Sequence, residues 1–69
     1  MDEYKNRVTD APLASPGLIS YRYLGDYGWV MIGAKDTADA LREAARSVSG
    51  GVDIARLEVW SGQGYAAAS

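Results

Sequence analysis

The chain has 69 residues, with 7 basic and 9 acidic side chains for a net charge of −2, and it contains neither cysteine nor histidine. That length holds one domain, and the two missing residue types exclude disulfides and a structural zinc site. A mildly acidic chain with no block of like charge also runs against binding to nucleic acid or an anionic membrane, which calls for a basic stripe.

Residues 1–17, "MDEYKNRVTDAPLASPG", mix charges, hold both prolines and show no sustained period. Pro12 and Pro16 hold the residues before them in extended conformations and break any helix. A flexible N-terminal tail is expected here, with an extended arm added to a partner as the alternative. The stretch lacks the apolar core of a signal peptide, and no apolar run in the chain nears the roughly 20 residues that span a bilayer. A cytoplasmic protein is the simplest expectation.

The folded domain is expected over residues 18–69. "LISYRYLG" alternates, with Ile19, Tyr21 and Tyr23 on one face and Ser20 and Arg22 on the other, and predicts a first strand. Gly25, Asp26 and Gly28 supply a hairpin turn. "WVMIGA" then predicts a second strand, antiparallel to the first and apolar at every position. A helix follows in "KDTADALREAARSVSGG". Asp36 is placed to cap it, Asp39 adds negative charge at the positive end of the dipole, and Gly50 and Gly51 offer a stop. Ala38, Leu41, Ala44 or Ala45, and Val48 form its expected apolar stripe.

In "VDIARLEVW", Leu57 and Val59 point one way and Arg56, Glu58 and Trp60 the other. "SGQG" is a second hairpin signal, and "YAAA" forms a short final strand. The fold class is therefore α+β: a small two-layer ββαβ(β) domain, one helix packed on a three- to four-stranded, mainly antiparallel sheet. The expected strand order is 2-1-3-4 with the helix crossing strand 1. The unbroken apolar character of strand 2 is the argument for the other order, 1-2-3-4, with a parallel 2–3 pair.

Catalytic chemistry has little to draw on. There is no histidine base or cysteine nucleophile, and the serines stand in no nucleophile-elbow context. Asp26, Asp36, Asp39, Asp53 and Glu58 could pair as acid and base, but each has an ordinary role as turn residue, cap or surface charge. "GDYG" and "SGQG" match no phosphate-binding loop and read as hairpin turns. No enzyme, cofactor or metal is expected.

The remaining signal is aromatic. A domain this small rarely covers both faces of its sheet, so strand 2 leaves either Trp29 and Met31 or Val30 and Ile32 uncovered, with Trp60 near them. Trp, Tyr, Met and Arg are enriched at protein interfaces, and Trp29, Met31, Trp60, Arg22 and Tyr27 are the candidate interface residues. Below about 70–80 residues a lone core is usually reinforced by disulfides, a metal or a partner chain. With no cysteine or histidine, a partner is expected, either a second copy or another protein. The alternative function is a single-stranded nucleic-acid binder that stacks bases on sheet aromatics around Arg22.

The run "YRYLGDYGWVMIGAKDTADALREAARS", followed by "LEVW", resembles a group of small uncharacterised proteins of proteobacterial plasmids and integrative mobile elements. The resemblance covers roughly residues 20–60 and rests on "GW-x-MIGA-x-D" leading into an alanine-rich helix. It brings no established activity and no site residue. What it implies is context: an accessory or regulatory protein of a mobile genetic element.

Overall fold

A computed structural model describes residues 14–69 of the chain. Strand β1 (Ile19–Gly25) and strand β2 (Gly28–Ala34) form an antiparallel hairpin in which Tyr21 faces Ile32, Arg22 faces Met31 and Leu24 faces Trp29. The turn between them, Asp26–Tyr27, is left through Gly28 at φ +127°, a conformation that costs a residue with a side chain far more than it costs glycine.

Helix α1 (Thr37–Ala45) starts after Asp36, whose extended backbone and side-chain acceptor make it the N-cap. The Asp39 N–H donates to Asp36 Oδ1 at 2.8 Å, and Asp39 Oδ2 in turn accepts the Lys35 N–H at 3.1 Å. The exchange satisfies backbone donors at both sides of the cap, in the manner of a capping box. The helix ends about one turn before the glycine pair, with Arg46 as C-cap, and Gly50 and Gly51 take their positive φ in the following loop. Its buried positions are Ala40 and Ala44, flanked by partly buried Leu41 and Val48, while Ala38 and Ala45 face solvent. Of the expected stripe, Leu41, Ala44 and Val48 meet the core and Ala38 does not, while Ala40, outside that stripe, is fully buried; the helix comes closest to β2.

A single 3-10 turn, Ile54–Arg56, is capped by the Asp53 side chain and leads into strand β3 (Leu57–Trp60). β3 pairs antiparallel with β1, Leu57 against Tyr23 and Val59 against Tyr21. Strand β4 (Tyr65–Ala67) closes a second hairpin, with Tyr65 against Trp60. The sheet order is β2-β1-β3-β4, so the expected 2-1-3-4 order holds and β2 is an edge strand, with no parallel pair beside it.

The core is the layer between sheet and helix: Tyr21, Tyr23, Ile32, Ala34, Ala40, Ala44 and Leu57. Ile19, expected with the tyrosines, lies on their side of the strand but at its start, where it is exposed. Both buried tyrosines reach a polar partner. Tyr23 Oη accepts the Asp53 N–H at 2.8 Å, and Tyr21 Oη lies 3.4 Å from Thr37 Oγ1. Much of the expected tail lies outside the described residues. Within 14–17, the Ala14 N–H donates to Ser20 Oγ and the Leu18 N–H closes a turn on Ser15 O, so this segment is tied to the sheet.

Candidate functional site

Alternation assigns every strand residue to one of two faces. Tyr21, Tyr23, Val30, Ile32, Leu57 and Val59 turn toward the helix, and the partner positions Arg22, Leu24, Trp29, Met31, Glu58, Trp60 and Tyr65 turn away from it. Of the two sets of strand 2 residues left open by the sequence, Trp29 and Met31 are therefore the ones on the face without a helix.

Arg22 is the centre of that face. Its Nε and Nη2 donate to Glu58 Oε1 at 2.8 and 2.7 Å. Its guanidinium carbon stands 4.1 Å from the centroid of the Trp29 ring and 4.5 Å from that of Tyr65. The planar cation thus bridges aromatics on β2 and β4 while its charge is answered from β3, an arrangement that favours arginine over lysine. Trp60 meets Tyr65 edge to face, with centroids 5.2 Å apart and planes at 69°. These five side chains come from all four strands and are half-buried.

Arg22 and Glu58 are the charged residues within the four strands, so the face is aromatic and electrically balanced. At one end it is bordered by the 14–18 segment. A Cβ at Gly33 would stand 3.1 Å from Ala14 Cβ and 3.4 Å from Leu18 Cδ1, so glycine there lets the chain cross close over β2.

Of the sequence candidates, Arg22, Trp29, Met31 and Trp60 share this face, with Met31 paired to Arg22 across the hairpin. Tyr27 stands apart at the tip of the β1–β2 turn, fully exposed. Tyr65 and Glu58 also belong to the cluster and are not among the interface candidates read from the sequence. The short "SGQG" turn, which aligns Trp60 with Tyr65, was the available signal for the first; the Arg22–Glu58 match depends on a long-range register and had no local signal.

Polar chemistry elsewhere is sparse. A cleft of about 390 Å³ lies between the β1–β2 turn and the end of the helix, and Asp26 is the sole carboxylate among its lining residues. Among the described residues no group of three or more Asp or Glu side chains could hold a metal ion, and no helix is long and apolar enough to cross a membrane. No family model matches the chain, and neither a curated protein nor a solved structure matches it.

Proposed function

We propose that the protein is a small non-catalytic interaction module that self-associates as a homodimer, with Trp29 and Met31 at the contact. The supporting observation is the balanced aromatic face. Its one strand cation is already paired with Glu58 and flanked by two rings, so little remains to attract phosphate, while Trp, Tyr, Met and Arg are the residues that anchor protein interfaces. A cytoplasmic accessory or regulatory role on a mobile genetic element fits this reading and rests on the sequence resemblance alone. Sedimentation velocity across a micromolar concentration range tests it. A dimer weakened by Trp29→Ala is the expected result, and a monomer at every concentration defeats the proposal.

A second reading, single-stranded nucleic-acid binding, draws on the same rings. Tyr21 and Tyr23 are buried and unavailable to bases, so the platform reduces to Trp29, Trp60 and Tyr65. It requires salt-dependent retention of a fluorescent oligonucleotide that falls on Trp60→Ala. No retention at low salt removes it.

A further inference from the structure

The outer edge of β2 supplies the geometry of that self-association. The direction of its backbone groups follows from the ladder. The Ala68 N–H donates to Leu57 O and the Ser61 N–H to Gly64 O, so the backbone groups of Leu57 and Val59 point to β4. Those of Glu58 therefore point to β1 and pair with Arg22, which leaves Tyr21 and Tyr23 to bond β2 through Ile32 and Val30. By the same alternation the N–H and C=O groups of Trp29, Met31 and Gly33 point outward, away from the sheet. β2 is the terminal strand of the sheet, and among the described residues no other strand pairs with these groups.

Natural edge strands are normally guarded by a lysine, a proline, a bulge or extreme shortness. β2 has none of these: it is seven residues long, continuously paired to β1, and reads GWVMIGA. Resting on the self-association reading, we infer that this edge is a strand-addition site whose occupant is the β2 edge of a second copy. The two strands run antiparallel about a two-fold axis at Met31, so that two four-stranded sheets become one.

The sequence of β2 is self-complementary in that register. Met31 faces Met31 and Trp29 faces Gly33, so outward groups meet outward groups and about six backbone hydrogen bonds form, two per facing pair. Moving the axis by one residue loses roughly a third of them, because a turn residue or Lys35 replaces a strand residue. On the helix side Val30 faces Ile32, a β-branched pair of the kind that stabilises sheets. On the open side Trp29 of one copy comes beside Gly33 of the other, where Ala14 and Leu18 offer an apolar wall. Just beyond the strand, the exposed Tyr27 comes opposite Lys35 of the second copy, and no charged residue is buried within the seam.

Amide hydrogen exchange on the full chain, at dilute and concentrated conditions, reads the edge directly. The amides of Trp29, Met31 and Gly33 should gain about tenfold or more protection as concentration rises, while those of Val30 and Ile32, already bonded to β1, are protected at both. Met31→Pro removes one outward N–H without touching the β1 ladder, so it should abolish the dimer by sedimentation with the far-ultraviolet spectrum retained. A dimer whose three outward amides exchange freely, or one that survives Met31→Pro, overturns the edge seam and leaves self-association standing. A monomer at all concentrations overturns both.

Discussion

The hydroxyl of Tyr23 reaches from the core to accept the Asp53 N–H, and the ring beneath it is almost fully buried. Tyr23→Phe keeps the ring and deletes the acceptor, so the expected loss is about 1 kcal/mol by urea denaturation, with the slope unchanged. Tyr21→Phe makes the matching control. Its 3.4 Å approach to Thr37 is too long to be worth as much, and a smaller loss should follow. Arg22 poses a harder case, because its cation is held both by a carboxylate and by two rings. Its side chain is 15% exposed against 30% for Glu58, so the pair lies between the surface and buried regimes. Glu58→Gln retains shape and a hydrogen-bond acceptor while removing the negative charge held 2.7 Å from the guanidinium. A loss of about 1–2 kcal/mol is expected, since removing the partner of a partly desolvated charge costs more than the pair itself contributes. Arg22→Met in the same background should recover part of it, which a double-mutant cycle would read.

At the level of elements, the start of α1 was legible and its end was not. Asp36 and Asp39 stand at the spacing that caps a helix, and local hydrogen bonds realise it without help from the rest of the fold. The end depends on competition. Gly50 and Gly51 could terminate a helix, but the chain leaves helical geometry at Arg46, ahead of them. Val48 then packs beside Gly25 and Val30 from a loop, not from a helix face. The start lends itself to two measurements. Asp36→Ala should cost about 1 kcal/mol, the usual value of an N-cap, seen as a lower unfolding midpoint. Asp39 is held below the ordinary carboxylate range chiefly by the Lys35 N–H; desolvation is the next largest effect and opposes it, and the bond to Arg42 and the charges of Arg42 and Lys35 add smaller lowering contributions. A carboxylate whose folded value is depressed favours the native state above its unfolded value and loses that contribution as pH falls through the folded one. The difference in stability between the wild type and Asp39→Asn should therefore be present at neutral pH and close in strong acid, where both side chains are uncharged. A gap that persists unchanged at the acid end would show that the side-chain bonds, not the charge, carry it.

For the whole molecule, the puzzle of a strand apolar on both sides resolves by position. Continuous apolar character is the habit of central parallel strands, yet β2 lies at the edge, with Val30 and Ile32 turned to the core and Trp29 and Met31 on the aromatic face. Composition alone could not separate these cases. The two-residue turn could: pairing Leu24 with Trp29 puts the tryptophan on the side of Arg22, opposite Tyr21 and Tyr23. The remaining ambiguity was strand order, which depends on Leu57 and Val59 meeting β1 across more than thirty intervening residues, a distance over which no local pattern acts. This arrangement also bears on stability. A 69-residue domain without disulfides has a small core, here rich in alanine, and its fully buried large side chains are Tyr23 and Leu57. Leu57→Ala should cost about 2–5 kcal/mol, comparable with the whole margin of a domain this small. If the native chain gains part of its margin from a second copy, mass action makes that margin depend on concentration. The thermal midpoint of the wild type should then rise steadily with protein concentration in the micromolar range. Leu57→Ala should unfold when dilute and regain part of its structure when concentrated, whereas Met31→Pro should show a midpoint independent of concentration. Differential scanning calorimetry over a hundredfold dilution series, roughly 2.7 kcal/mol of linkage if the native state binds one partner well above its dissociation constant, is wide enough to resolve the trend. A wild-type midpoint that does not move across that range would mean that the single chain carries its own stability, and that the outer edge of β2 has no partner of its own kind.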